Sequence, residues 1–172
     1  MQLTSRLSVS LIVGVAAVSL EHIGSTAVPG LVAKDVVDLQ VGVASLDDAD
    51  DPGFVASMDS AGFVRMPGEW HDNGKDGTTW AKRLHGSCDP GRVAHVHVRE
   101  IGSPGWVWAL RFRDWLREDA VERAAYATMK TELATGVAST GDYAEAKEPW
   151  FDAADERARA WALRTGWQPP TS

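Results

Sequence analysis

The chain contains a single cysteine, Cys88, in 172 residues. That excludes an intrachain disulfide and a cysteine-built metal site, and it suits a reducing cytosol. Basic residues are also scarce, with 17 Lys and Arg against 24 Asp and Glu, for a formal charge of −7. A broad nucleic-acid surface needs clustered Lys and Arg to neutralise phosphates, so that class is excluded; a small anionic ligand held in a local pocket is not. No apolar run reaches the roughly 20 residues a bilayer span requires. The apolar stretch at 7–20, preceded by Arg6, is expected to be a helix remnant over 6–13 and a buried strand over 16–23 rather than a leader. The expectation is a cytoplasmic protein with no membrane segment, no internal repeat and no interdomain linker.

What is present suits one domain over residues 1–172. With 44% hydrophobic residues, a chain of this length can bury roughly 70% of its unfolded surface. Residues 21–43, EHIGSTAVPGLVAKDVVDLQVGV, read as strand, turn, strand. Gly24-Ser25 and the Pro29-Gly30 break would leave backbone N–H groups that favour an anion. In the second strand Asp38 and Gln40 share one face, while Val37, Leu39, Val41 and Val43 share the other. A helix is expected from an N-cap at Ser45 through Pro52-Gly53 to Ala61, stopped by Gly62. Phe63 begins a short strand, 71–77 is expected to be a flexible connection serving as a lid, and 78–84 returns as a strand. Over 92–99 the alternation puts His95, His97 and Arg99 on one face and Ala94, Val96 and Val98 opposite.

From Ser103-Pro104 the pattern becomes helical. Trp108, Phe112 and Trp115 form an aromatic stripe expected to pack on the sheet. A second helix over 119–135 would turn Ala125, Met129 and Leu133 inward, and a third runs from 142 to 166 with an interruption at Pro149. The fold class is α/β in the α+β sense: a mixed sheet of about four to six strands backed by helices.

The chemistry-bearing residues converge on the strand–turn–strand unit. Gly24 and Ser25 are candidates to hold phosphate, and Asp38 is a hard carboxylate suited to Mg²⁺. Lys34, Lys82 and Arg99 are candidates to complete an anion pocket, with Arg83 on the opposite face from Lys82. His95 and His97 are candidate metal or phosphate ligands, and a polar seam of hydrogen-bonded histidines is the alternative.

Ile23-Gly24-Ser25, twelve intervening residues and Asp38-Leu39-Gln40 resemble the signature of the DNA polymerase beta-like nucleotidyltransferases. In that signature Gly-Ser precedes two acidic residues separated by one apolar residue. The resemblance implies catalytic roles for positions 38 and 40, Mg²⁺ as cofactor and a nucleotide ligand. Gln40 departs from the pattern because a neutral amide brings no charge to a metal. EHIGSTAVPGLVAKDVVDLQV at 21–41 is similar to the hallmark segment of the GrpB family. WAKRLHGSCDPGRVAHVHVR, GSPGWVWALRFRDWLR and EAKEPWFDAADERARAWALRTGW are similar to its subtype fused behind the kinase domain of actinobacterial dephospho-CoA kinases. The likeness covers about 15–168. It implies a nucleotidyltransferase-like fold, with a dephospho-CoA kinase domain as a partner and a non-catalytic accessory role as the alternative function. The chain has no G-x-x-x-x-G-K-[ST] segment, so kinase activity is not expected from it alone. A third reading is a metallohydrolase centred on His95 and His97.

Overall fold

The structure, a computed structural model, describes residues 17–33, 35–74, 77–91, 93–136 and 148–170. The elements run β1 (Ala17–Ile23), a 3-10 turn (Ser25–Ala27), β2 (Val37–Val43), α1 (Leu46–Asp50), α2 (Pro52–Ser60), β3 (Phe63–Arg65), β4 (Trp70–Asn73), β5 (Thr79–Ser87) and β6 (Ala94–Glu100). Three long helices follow, α3 (Pro104–Glu118), α4 (Ala120–Gly136) and α5 (Glu148–Thr165). The expected remnant helix at 6–13 and the 142–147 part of the expected third helix lie outside the described residues.

The sheet is mixed, with order β1-β2-β6-β5-β3. β2 and β6 are parallel and the remaining pairs antiparallel. β4 lies along the first half of β5, with Trp70 opposite Lys82, and β3 along its second half, with Phe63 opposite Ser87. This bears out the expected α+β class.

Alternation decides what covers each face. Val41, Val43, Val96 and Val98 point toward α1 and α2, where Ala49, Phe54 and Met58 complete a core cluster. Phe54 and Met58 are fully buried, each stabilising by about 1.5–3 kcal/mol. The expected single helix over 45–61 is two. Ser45 and Asp48 form a capping box at the start of α1, and Pro52, lacking an N–H, restarts the chain as α2. There Asp51 accepts from the amides of Gly53 and Phe54 at 2.8 and 3.3 Å.

The other face of the sheet is polar at its centre, which changes what α3 must do. Ser103 caps this helix by accepting from the Trp106 amide at 3.3 Å, with Pro104 at its first position, as expected. Trp106 and Leu110 meet Ile23 on the sheet. The stripe expected on the sheet turns the other way: Phe112 and Trp115 pack with Tyr126 of α4 and with Ala154, Ala158 and Trp161 of α5. A sheet face carrying Gln40 and Arg99 offers little apolar surface to an aromatic stripe, and two further helices do. On α4 it is Tyr126 that is buried, while Ala125 is exposed. Pro149 is the second residue of α5, a first-turn position needing no donor. Gly166, at φ +68°, ends it. No described helix is long and apolar enough to cross a membrane.

Candidate functional site

The register between parallel strands β2 and β6 sets Asp38 beside His95 and Gln40 beside His97. All four side chains, with Arg99 two residues on, therefore share the face toward α3. One oxygen of Asp38 lies 3.7 Å from Nδ1 of His95 and 3.5 Å from Nε2 of His97. His97 is held below its ordinary imidazole value, first by burial and then by the positive charges of Arg99 and Lys82, against the pull of Asp38. Among the described residues, no group of three or more His, Cys, Asp and Glu is placed to hold a metal ion.

Gln40 is fully buried. Its Oε1 accepts from Nη1 of Arg99 at 2.7 Å, and its Nε2 donates to the Trp106 carbonyl at 3.4 Å. Arg99 in turn grips Asp72 with two bonds, from Nε at 2.7 Å and Nη2 at 2.9 Å, and Lys82 donates to the same carboxylate at 2.5 Å. Burial alone would raise the Asp72 carboxyl, but the bonds and charges of Arg99 and Lys82 outweigh it and hold the group well below its ordinary value. Lys82 is lowered, chiefly by burial. Asp72 is seated at the start of α3, where a Cβ on Gly105 would collide with its carboxylate. Position 40 therefore belongs to a closed network in which a guanidinium stands beside the amide. The residues present do not fit a two-metal centre, since the only side-chain oxygen at position 40 is already bonded to a cation.

On the other side of Asp38 lies the turn. Gly24 has φ +71°, and a Cβ there would sit 2.6 Å from Oδ2 of Asp38, so only glycine lets the turn approach the carboxylate. Ser25 and Thr26 open the 3-10 turn, and their amides have no carbonyl of that turn to donate to. The Ser25 hydroxyl accepts from Nζ of Lys130, on α4, at 2.9 Å and lies 3.4 Å from the Tyr126 hydroxyl. Lys130 also donates to the Val32 carbonyl at 3.0 Å. Arg117 donates to the Ala27 carbonyl at 2.9 Å, and His22 pairs with Thr26 at 2.9 Å. A cation and a carboxylate thus flank Gly24.

The structure brings Gly24, Ser25, Asp38, His95 and His97 into one neighbourhood. Lys82 and Arg99, expected to complete an anion pocket, both point at Asp72, and Lys34 lies outside the described residues. Arg83 is on the opposite face, as expected, paired with Asp50. Two contributors escaped the sequence reading. Asp72 lies in the segment expected to be a lid and is instead in strand β4, signalled only by the short alternation Trp70-His71-Asp72-Asn73. Lys130 carries no local motif and reaches Ser25 only through the packing of α4.

Together these features define a mixed α+β domain with a glycine-hydroxyl turn and an adjacent carboxylate at the end of two neighbouring strands. The GrpB protein family model matches residues 2–157. This chain belongs to the GrpB family. It is 40% identical over 171 residues to a dephospho-CoA kinase of Mycolicibacterium paratuberculosis, covering 89% of this chain and 42% of that protein. A UPF0157 protein of Streptomyces coelicolor is 39% identical over 147 residues, covering 83% of this chain and 70% of its own length. The chain spans about two-fifths of the length of the kinases it matches. The crystal structure of GrpB from Enterococcus faecalis superposes with a TM-score of 0.65 at 26% identity, over 91% of this chain and 87% of that one.

Proposed function

We propose that this domain binds a phosphorylated small molecule of the nucleotide class at the Gly24-Ser25 turn and does not itself run two-metal nucleotidyl transfer. The observation that carries the reading is the Lys130 ammonium held 2.9 Å from the Ser25 hydroxyl across the packed helix α4. A phosphate entering there gains a fixed cation, a hydroxyl donor and the leading amides of the turn. Asp38 is the carboxylate that a Mg²⁺ carried on the ligand's phosphates would meet, in the manner of a cation bound by one side chain and substrate oxygens. Turnover is disfavoured because Gln40 is neutral, buried and bonded to Arg99.

Thermal-shift titration with ATP, pyrophosphate and CoA precursors, with and without Mg²⁺, tests the reading, because a ligand at about 100 times its Kd adds about 2.7 kcal/mol of stability. A rise in Tm that Lys130→Met and Ser25→Ala abolish is expected; no rise with any of these compounds would overturn it.

A second reading, association with a dephospho-CoA kinase domain, is favoured by the 38–40% identity to relatives bearing that name. Co-purification with the remaining part of such a relative is its test, and failure to associate counts against it.

A further inference from the structure

A cavity of about 380 Å³ opens beside the network just described, between the β4–β5 hairpin and helices α3 and α5. Its walls include Trp80 of β5, Trp108 and Arg111 of α3, and Phe151, Asp155 and Arg159 of α5. The volume is in the range of small-molecule sites. Three aromatic rings supply flat apolar surface. Trp108 and Phe151 meet edge to face with centroids 6.4 Å apart, so their arrangement is fixed by packing rather than left to a ligand.

The wall carries two charges of each sign, Arg111 and Arg159 against Asp72 and Asp155. Asp155 accepts from Arg111 and from Arg159, each at 2.7 Å. Asp72, which also lines the cavity, is matched by both Arg99 and Lys82. Each carboxylate is thus matched by two cations, of which Arg111 and Arg159 are the ones that line the cavity. Arg111 also stacks over Trp108 at 5.6 Å, and its Nε is buried with no acceptor among the described residues. An unmet buried donor of this kind calls for a partner.

We infer that this cavity is a second ligand site, separate from the Gly24-Ser25 turn, and that it takes a planar aromatic ring bearing an anionic group. The ring stacks against Trp80 and Trp108, and the anion meets Arg111 and Arg159. The reading stands independently of what binds at Gly24.

Naphthalene-2-sulfonate serves as the probe, followed by the indole N–H resonances in two-dimensional NMR of the whole chain, assigned with Trp80→Phe and Trp108→Phe. Saturable shifts of the Trp80 and Trp108 signals are expected. Affinity should fall at least about tenfold for an uncharged or cationic naphthalene of the same size. Arg159→Gln, at an exposed position, should weaken binding while leaving the rest of the spectrum in place, and Lys130→Met should leave it unchanged. No shift of these two signals at millimolar probe, equal affinity for the cationic analogue, or unchanged affinity in Arg159→Gln would overturn the inference.

Discussion

Asp72 and Asp50 each bind two cationic side chains, one on either face of the sheet, and neutralising them should have very different costs. At Asp72 the side chain is 17% exposed, with Arg99 at 7% and Lys82 at 12%. Asp72→Asn keeps the shape but removes the carboxylate that both buried cations bind, leaving Arg99 with the neutral Gln40 as its further side-chain acceptor among the described residues and Lys82 with the charge of Asp38. Loss of one partner from a buried ion cluster costs about 3–5 kcal/mol. Asp50, paired with Arg65 and Arg83, is 41% exposed, and water replaces much of what is lost. Asp50→Asn should cost about 1 kcal/mol or less. For a domain of this size each kcal/mol moves Tm by about 2–4 °C, so Tm should fall by roughly 6–20 °C for Asp72→Asn and by a few degrees at most for Asp50→Asn. Thermal denaturation followed by circular dichroism at neutral pH measures both. Because the folded Asp72 carboxyl lies below its ordinary value of 3.8, its contribution is full above that value and is lost as pH falls toward the folded value. Equal losses for the two variants would refute the reasoning, as would an Asp72→Asn domain within about 0.5 kcal/mol of wild type, the usual span of a neutral surface change.

Further expectations concern single positions. Gly24→Ala should destabilise the domain by about 1–3 kcal/mol, since it combines a positive φ with a Cβ 2.6 Å from Asp38, and urea unfolding reads this directly. His85 is fully buried on the α2 side against Phe54, and burial lowers it from 6.5 to about 4. Its neutral form is the folded one, so stability should be full above pH 6.5 and decline by about 3 kcal/mol as pH falls toward 4, a slope that His85→Leu should remove in pH-dependent urea titrations. Gln40→Glu should pair with Arg99 and leave Mg²⁺–nucleotide affinity unchanged by calorimetry; a tenfold gain would mean that position 40 reaches the metal after all. Ser103→Ala should cost about 1 kcal/mol through loss of the α3 cap.

Most of the sheet was legible because its strands alternate cleanly. Asp38, Gln40, His95, His97 and Arg99 could be assigned to faces by parity, and the parallel register then set them side by side. Ser45, Ser103 and Gly166 marked helix ends through local chemistry that needs no tertiary context. What escaped depends on contacts between distant residues. β4 is four residues long and exists as a strand because β5 pairs with it, so its own sequence reads as loop. The direction of the α3 stripe depends on α4 and α5, whose demand for aromatic surface no window along α3 contains. Arg99 and Lys82 looked like free cations for a ligand until Asp72 was placed between them. Lys130 lies 105 positions from Ser25 in the chain, beyond any spacing rule.

The central claim, binding at the Gly24-Ser25 turn without two-metal transfer, is tested most directly by phosphorus NMR of ATP with Mg²⁺ and the domain. Broadening of the phosphate resonances that disappears in Lys130→Met, with no pyrophosphate signal growing over hours, is the predicted result. A growing pyrophosphate signal, or phosphate resonances indifferent to the protein, would contradict it.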